Sequence, residues 1–195
     1  MKEVFYEESA RILDEKAASF KYNILKIVSV FSYVMMIIWI LLVYFCFNFE
    51  GDLLIDIIIV LIPMAIFFLS GFFFGKFKNK QYVEYDYTFV SGSIRVAKVI
   101  KNIKRSFILK FDTSNIEKIG EYDSGTYKKY ASLHGISQSI FTSNYAADEG
   151  KKFYYIVANV DGEKKLMIYE CTETFIVNIL KFTNKSVLEE EFSRR

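Results

Sequence analysis

Residues 27–49 (IVSVFSYVMMIIWILLVYFCFNF) and residues 57–75 (IIIVLIPMAIFFLSGFFFG) contain no charged side chain. About 20 apolar residues in a helix cross the roughly 30 Å hydrocarbon core of a bilayer, at about 1.5 Å per residue. Each stretch is close to that length, and residues 27–47 alone hold thirteen Ile, Leu, Val or Phe. We therefore predict a transmembrane hairpin within residues 24–75, with helices at about 27–48 and 53–75.

The alternatives to a transmembrane hairpin fit the sequence less well. Two buried core helices of a soluble protein would need a large covering structure, which a chain of 195 residues hardly supplies. A cleaved signal peptide would be shorter, would start earlier and would end in a small-x-small cleavage site. The polar segment 48–52 (NFEGD) predicts a tight turn between the helices, with Asp52 as the N-cap of the second.

The basic residues predict the orientation of the hairpin. Lys21 and Lys26 precede the first span, Lys76, Lys78 and Lys80 follow the second, and the turn has none. Because Lys and Arg are concentrated in cytoplasmic loops, we expect a multi-pass protein of the cell membrane with both termini in the cytoplasm.

Composition excludes several other classes of protein. Hydrophobic residues make up 52% of the chain, and it has one proline and two cysteines. Cys46 would lie in the first span and Cys171 in the cytoplasmic part, so no disulfide is expected. Residues 76–195 carry 20 bases and 15 acids, which is too small an excess to predict nucleic-acid binding.

Residues 1–23 are expected to form a cytoplasmic amphipathic segment. Phe5, Ile12, Leu13 and Phe20 recur near helical spacing, with acidic residues between them. Two interpretations stay open: a helix on the inner membrane surface, or a helical lead-in that packs on the cytoplasmic domain or extends the first span.

Residues 76–195 predict one domain of short strands closed by a helix. Thr172 is the expected N-cap of that amphipathic helix, which carries Phe175, Ile176, Ile179 and Leu180. Residues 127–133 predict a helical turn, and residues 136–145 predict either a strand or a loop. The other predicted strands, joined by turns at 91–93, 113–115 and 161–162, are 82–90, 94–100, 107–112, 116–122, 152–160 and 163–170.

Three features carry a resemblance to known proteins: residues 84–89 (EYDYTF) before a glycine turn, the basic stretch 98–105, and the closing helix. About seven strands followed by one helix resemble a bacterial PH-like domain, a bent antiparallel sheet or partly open barrel plugged by the helix. Two spans followed by such a domain are similar to uncharacterised small bacterial membrane proteins of a domain-of-unknown-function family. The resemblance implies an α+β membrane protein and no particular catalysis.

Three features of the second span are candidates for a role. Asp56 is an ionisable residue near the outer end of the span, where it either serves a transport pathway or simply reaches the headgroups. Gly71 and Gly75 form a G-x-x-x-G pattern that predicts either close helix packing, with homodimerisation as one outcome, or fraying of the helix where Gly75 lies at the exit of the span. Pro63 predicts either a kink that frees a backbone carbonyl or a tolerated bend.

Basic residues next to the second span are candidates for contact with the anionic inner leaflet, at about 1 kcal/mol each near the surface. In lipid-binding proteins of similar fold the first hairpin loop is basic, whereas residues 91–93 here are uncharged. Nonspecific leaflet contact is therefore expected, and a solvated strand face is the alternative. The candidates are Lys76, Lys78, Lys80, Lys101, Lys104 and Arg105, with Lys98 and Lys110 beside them.

Nothing in the sequence predicts an enzyme, a metal site or a cofactor. His134 is the only histidine, and no nucleophile elbow, zinc motif or phosphate-cradling loop accompanies it. Residues 189–191 (EEE) predict a solvated tail.

We therefore expect a non-catalytic anchor or scaffold that presents a PH-like domain to a protein partner or to the inner leaflet, or that pairs as a homodimer. The alternative is a small subunit of a transport or sensing assembly, with Asp56 in the pathway.

Overall fold

The computed structural model describes residues 4–46, 53–183 and 186–189. The chain forms two compact units. One is a helical unit, Asp14–Tyr82, and the other is a β-rich unit, Met1–Leu13 with Val83–Arg195, which we call the PH-like unit after the resemblance of its sequence. The predicted turn at 48–52, with its Asp52 cap, lies outside the described residues, as do Glu190 and Glu191.

The helical unit consists of two long antiparallel helices, α1 (Glu15–Cys46) and α2 (Leu53–Gln81). The Asp14 carboxylate accepts a hydrogen bond from the Ala17 amide at 2.9 Å, and it thereby caps α1 at its first turn. Both helices are long and apolar enough to cross a membrane, and only 11% and 6% of their most apolar windows are buried within the protein. Their apolar side chains thus face outward, unlike those of the core helices of a soluble protein.

Both helices extend beyond the spans predicted from hydropathy. α1 starts at Glu15 rather than near residue 27, and α2 runs on to Gln81 rather than ending at 75. The two compact units divide at 13/14 and 82/83, whereas the predicted domain boundaries are 23/24 and 75/76. Residues 15–26 and 76–81 contain several Lys, Ala and Gln or Glu residues, which favour a helix. An uncharged stretch therefore locates the apolar part of each helix but not the residues at which the helix begins and ends.

The PH-like unit contains two four-stranded sheets in its described part. Sheet 1 has the order β1-β2-β3-β4 and is antiparallel throughout. Sheet 2 has the order β5-β7-β8-β6, and β6 runs parallel to β8, which the predicted antiparallel sheet did not include. The bounds are β1 Phe5–Ala10, β2 Val83–Val90, β3 Ser93–Ile100, β4 Lys104–Asp112, β5 Ile116–Glu121, α3 Gly125–Ala131, β6 Ser137–Phe141, β7 Lys152–Val160, β8 Glu163–Cys171 and α4 Glu173–Leu180.

The main core lies between the two sheets and is closed by α4. Alternate residues of each strand point into it, as the period of two in a strand requires. Fully buried members include Tyr87, Phe89, Ile94, Val96, Tyr154, Ile156, Met167, Tyr169, Phe175 and Ile179. A smaller cluster, Tyr155, Val157 and Leu166, lies on the outer face of sheet 2 beneath α3.

The expected helix at the N-terminus is wrong for residues 5–10, which form the edge strand β1. Tyr6 pairs with Phe89 and Ala10 pairs with Tyr85 of β2. Tyr6 and Ala10 face the core, whereas Phe5 is 66% exposed. The interpretation by helical spacing placed Phe5 on the buried face. In a strand the inward-facing positions alternate, so Tyr6 and Ala10 face the core and Phe5 does not.

Thr172 occupies the predicted N-cap position of α4, but its side chain makes no capping hydrogen bond to the helix. Its amide and its hydroxyl donate instead to the two carboxylate oxygens of Glu8, at 2.8 and 2.9 Å. Strand β1 therefore fixes the start of the closing helix from the other end of the chain.

Candidate functional site

The linker end of the PH-like unit is the end at which the chain runs on into α1 and returns from α2. Residue pairing places Ala10 opposite Tyr85 and Val83 opposite Ile100, so β1 finishes, β2 starts and β3 finishes at this one end. Strands lie about 4.8 Å apart, so the β3–β4 turn is within about 10 Å of Val83. We use "linker end" for residues 10–13, Val83, the turn 101–103 and the loop 142–145.

The β3–β4 turn presents an apolar side chain between two lysines. Lys101 and Asn102 have φ angles of 50° and 55°, and the Ile103 amide donates to the Ile100 carbonyl at 3.0 Å. Two successive residues with positive φ match a type I′ turn, which suits the twist of a hairpin. Ile103 is 81% exposed at the tip, and Lys104 follows it on the exposed edge strand.

Arg105 has a different environment from Lys104. Its Nη2 lies 2.5 Å from Oδ2 of Asp86 and 3.7 Å from Oε1 of Glu7. Ala97 of β3 is paired with Asp86 of β2 on one side and with β4 on the other. Because the Ala97 side chain is small, the Arg105 guanidinium can reach from β4 over β3 to Asp86. Arg105, predicted for leaflet contact, is therefore engaged in the outer face of sheet 1.

Loop 142–148 is held by the buried carboxylate of Glu170. Oε1 accepts from the Asp148 amide at 3.0 Å, and Oε2 accepts from Asn144 Nδ2 at 2.9 Å and from the Thr142 hydroxyl. Asn144 also accepts from the Leu13 amide at 3.1 Å and donates to the Arg11 carbonyl at 2.7 Å. The loop thus braces the residues that lead into α1.

An apolar cavity of about 340 Å³ opens beside this loop, on the outer face of sheet 2. Tyr122, Ile140, Phe153 and Ile168 form its apolar wall, and residues 142–145 form its rim. Ile140 is 57% exposed and Tyr145 is fully exposed. α3 covers the neighbouring part of the same face, so the cavity is the uncovered remainder. We call it the rim cavity.

Within the helical unit, Gly71 and Gly75 lie where α2 packs against α1. A Cβ atom on Gly71 would lie 2.9 Å from the Tyr33 ring, and one on Gly75 would lie 3.2 Å from Ser29 Oγ. Ser29 Oγ donates to the Gly71 carbonyl at 2.7 Å. Gly75 is inside α2 rather than at its end, so the G-x-x-x-G pattern serves packing within the hairpin and its surface is already occupied by α1.

Asp56 and Pro63 both lie within α2, and Asp56 is half-buried in its first turn. Pro63 lacks an amide hydrogen and so leaves the Ile59 carbonyl without its helical donor. Trp39 Nε1 donates to the next carbonyl, that of Val60, at 3.2 Å. Hence an α1 side chain supports α2 at its proline.

The three lysines predicted to follow the second span lie in the last turns of α2. Each ammonium lies over an aromatic ring of the helical unit. The pairs are Lys76 with Phe72 at 4.4 Å, Lys78 with Tyr22 at 5.9 Å and Lys80 with Phe77 at 5.3 Å.

Glu189 is buried, which corrects the prediction of a solvated tail at this residue. Backbone hydrogen bonds join Val187 and Glu189 to Ile119 of β5 at 2.9 Å each, in a parallel bridge. Oε2 of Glu189 accepts from Ser124 Oγ at 3.0 Å and from the Tyr155 hydroxyl at 3.2 Å. Burial and the Glu189 charge raise the pKa of Tyr155. Three consecutive glutamates at 189–191 are typical of a solvated segment, so the sequence alone did not indicate that Glu189 is buried.

The histidine considered for catalysis lies in an exposed turn after α3. In residues 4–46, 53–183 and 186–189, no group of three His, Cys, Asp or Glu side chains could hold a metal ion. Burial raises the pKa of the Cys171 thiol well above its usual value, which disfavours the nucleophilic thiolate form.

Comparison with known proteins assigns the family. A family described as "Bacterial PH-like domain (DUF6106)", of unknown function, matches residues 16–189. The match includes α2, strands β2 to β8 and all of α1 except its first residue, and it leaves out β1. No curated protein matches the chain. The match spans most of the chain, and so this protein belongs to the bacterial PH-like domain family DUF6106.

Proposed function

We propose that the chain is a non-catalytic membrane anchor whose PH-like unit is held against the cytoplasmic leaflet of the cell membrane by its linker end. α1 and α2 would cross the bilayer as a hairpin, and both termini would be cytoplasmic.

The pairing of β1 with β2 is the observation that carries this proposal. Residues 5–10 precede the two helices and residues 83–90 follow them, yet they form one antiparallel ladder. This pairing supports a hairpin whose two ends lie on the same side of the membrane. The lysines at positions 21, 26, 76, 78 and 80 favour the cytoplasm as that side.

The position of the β3–β4 turn supports contact with the leaflet. It is at the linker end, which covalent connection to α2 keeps near the membrane. Lys101 and Lys104 would each gain about 1 kcal/mol at an anionic surface, and Ile103 would enter the headgroup layer. This combination of bases around one exposed apolar side chain favours the leaflet over a protein partner for this turn.

The experiment uses the full chain in lipid nanodiscs, with hydrogen exchange read on the peptide that spans residues 100–107. In phosphatidylglycerol-containing discs we expect slower exchange than in pure phosphatidylcholine discs. The double variant Lys101→Glu/Lys104→Glu should lose the difference. The charge-matched control Lys129→Glu/Lys181→Glu changes exposed lysines of α3 and of the turn after α4 and should keep it.

Equal exchange in both lipids would contradict the leaflet contact. Cleavage of the PH-like unit by a protease added outside intact cells would contradict the orientation.

A further inference from the structure

We infer that the rim cavity binds the acyl chain of a membrane lipid. This inference rests on the proposed function, because it needs the linker end to lie at the inner leaflet.

The chemistry of the cavity wall selects an apolar ligand. Tyr122, Ile140, Phe153 and Ile168 supply the wall. Its volume of about 340 Å³ falls at the lower end of small-molecule pockets, about 300–1,000 Å³. That is room for one alkyl chain rather than for a folded segment.

The side chains of Thr142, Ser143 and Asn144 in the rim are used within the domain and do not point to a polar ligand. Thr142 donates to Glu170, and Ser143 donates to the Val83 carbonyl at 2.7 Å. Both amide hydrogens of Asn144 are taken, by Arg11 and Glu170. No side-chain donor of these three residues is left for a headgroup or a substrate.

The place of the cavity selects a lipid among apolar ligands. Its rim is bonded to the residues that lead into α1 and to the first residue of β2. It is therefore at the same end of the domain as Lys101 and Ile103, which is the end that the proposed function places at the leaflet. Tyr145 in its rim is a fully exposed aromatic side chain with a polar tip, which suits a headgroup layer.

The test uses full chain in nanodiscs of phosphatidylethanolamine and phosphatidylglycerol, doped with one of two photoreactive phosphatidylglycerols. One carries a diazirine at the end of an acyl chain, and the other carries it on the headgroup. After irradiation, the acyl probe should label peptides that contain Tyr122, Ile140 or Phe153. The headgroup probe should label the peptide that contains Lys101 and Lys104.

Two variants of the half-exposed Ile140 test whether those adducts come from the cavity. Ile140→Trp fills it and Ile140→Asp makes its wall charged, so either should reduce the acyl adducts to the level without light. Val177→Trp, on the exposed side of α4, is the matched control and should keep them. Unchanged melting temperatures show that the variants fold.

Headgroup adducts without acyl adducts in the cavity would overturn this inference and leave the proposed function standing. Absence of both the headgroup adducts and the acyl adducts would overturn this inference and the proposed function together. Acyl adducts confined to residues 14–82, or cavity adducts that persist in both Ile140 variants, would likewise overturn the acyl site.

Discussion

The hydroxyl of Ser29 in α1 donates a hydrogen bond to the backbone carbonyl of Gly71 in α2 at 2.7 Å. The absence of a side chain at Gly71 lets the two helices approach this closely, with the Tyr33 ring next to the same glycine. Small residues and hydrogen bonds between helices supply what apolar burial cannot supply inside a lipid bilayer.

Gly71→Val should weaken the hairpin, because any Cβ at this position meets the Tyr33 ring. Overpacking of this kind costs about 1–3 kcal/mol. Thermal unfolding of the full chain in detergent measures the effect. Ala65→Leu, which adds bulk on the exposed side of the same helix, is the control and should melt as the parent does. A hairpin that keeps its melting temperature in Gly71→Val would show that α1 and α2 are not this close.

Arg105→Gln and Lys104→Gln should separate a structural base from a lipid-contacting one. Loss of Arg105 leaves the buried Asp86 carboxylate without its cation, which costs about 1–3 kcal/mol. Lys104→Gln should leave the denaturation midpoint unchanged and reduce only the lipid-dependent protection of the β3–β4 turn. Equal stability of the two variants would argue against the ion pair.

Glu189→Ala should destabilise the PH-like unit, since the hydroxyls of Ser124 and Tyr155 lose their shared acceptor. The expected cost is about 1–3 kcal/mol. Gly120→Ala should have a similar effect, because its Cβ would collide with Glu189 Oε2. Glu163→Ala, at a side chain that is 72% exposed, is the control for loss of a carboxylate. Denaturant unfolding followed by near-UV circular dichroism measures all three.

Alkaline pH should unfold the PH-like unit. Burial raises the pKa of Tyr154 to about 12, and it raises the pKa of Tyr87 and Tyr169 well above the usual value. The unfolded chain loses these protons near pH 10, before the folded chain does, so stability is complete below about pH 10 and falls as pH rises to about 12 and beyond. Tyr154→Phe should make the decline of the unfolding midpoint shallower. A midpoint independent of pH in this range would contradict the assignment.

Asp56→Asn tests the alternative of a transport or sensing subunit. If Asp56 only lies at the start of α2 near the headgroups, the variant should insert and assemble as the parent does. Membrane content and crosslinked complexes from intact cells are the readouts. A variant that inserts normally but no longer forms the crosslinked complexes would favour a role for the Asp56 carboxylate in a transport or sensing assembly.

The sequence predicted the parts of the fold that have a local cause. Uncharged apolar stretches marked α1 and α2, and two-residue glycine turns marked the hairpins at Gly92 and Gly162, each with φ above 80°. The position of α4 followed from its apolar stripe. These features depend on neighbours in the sequence, so periodicity and turn chemistry were sufficient.

The missed features depend on contacts between distant parts of the chain. Strand β1 exists because β2 pairs with it, and the environment of Glu189 is supplied by Ser124 and Tyr155. The wall of the rim cavity combines residues of β6, β7 and β8 with the residue that follows β5, which no spacing along the chain brings together. Patterns in the sequence therefore indicated the basic residues of the β3–β4 turn. They could not indicate the rim cavity, although it lies at the same linker end.

Strand β1 also imposes an order on biosynthesis. The ribosome makes residues 5–10 first, yet their partner begins at Val83, after both long helices have been made. If both helices cross the bilayer as we propose, a molecule that threads only one of them has its ends on opposite faces, so its first strand cannot pair with β2 and Glu8 cannot bond to Thr172. In that case only correctly threaded molecules would cover with β1 the edge of β2 that is otherwise open to aggregation.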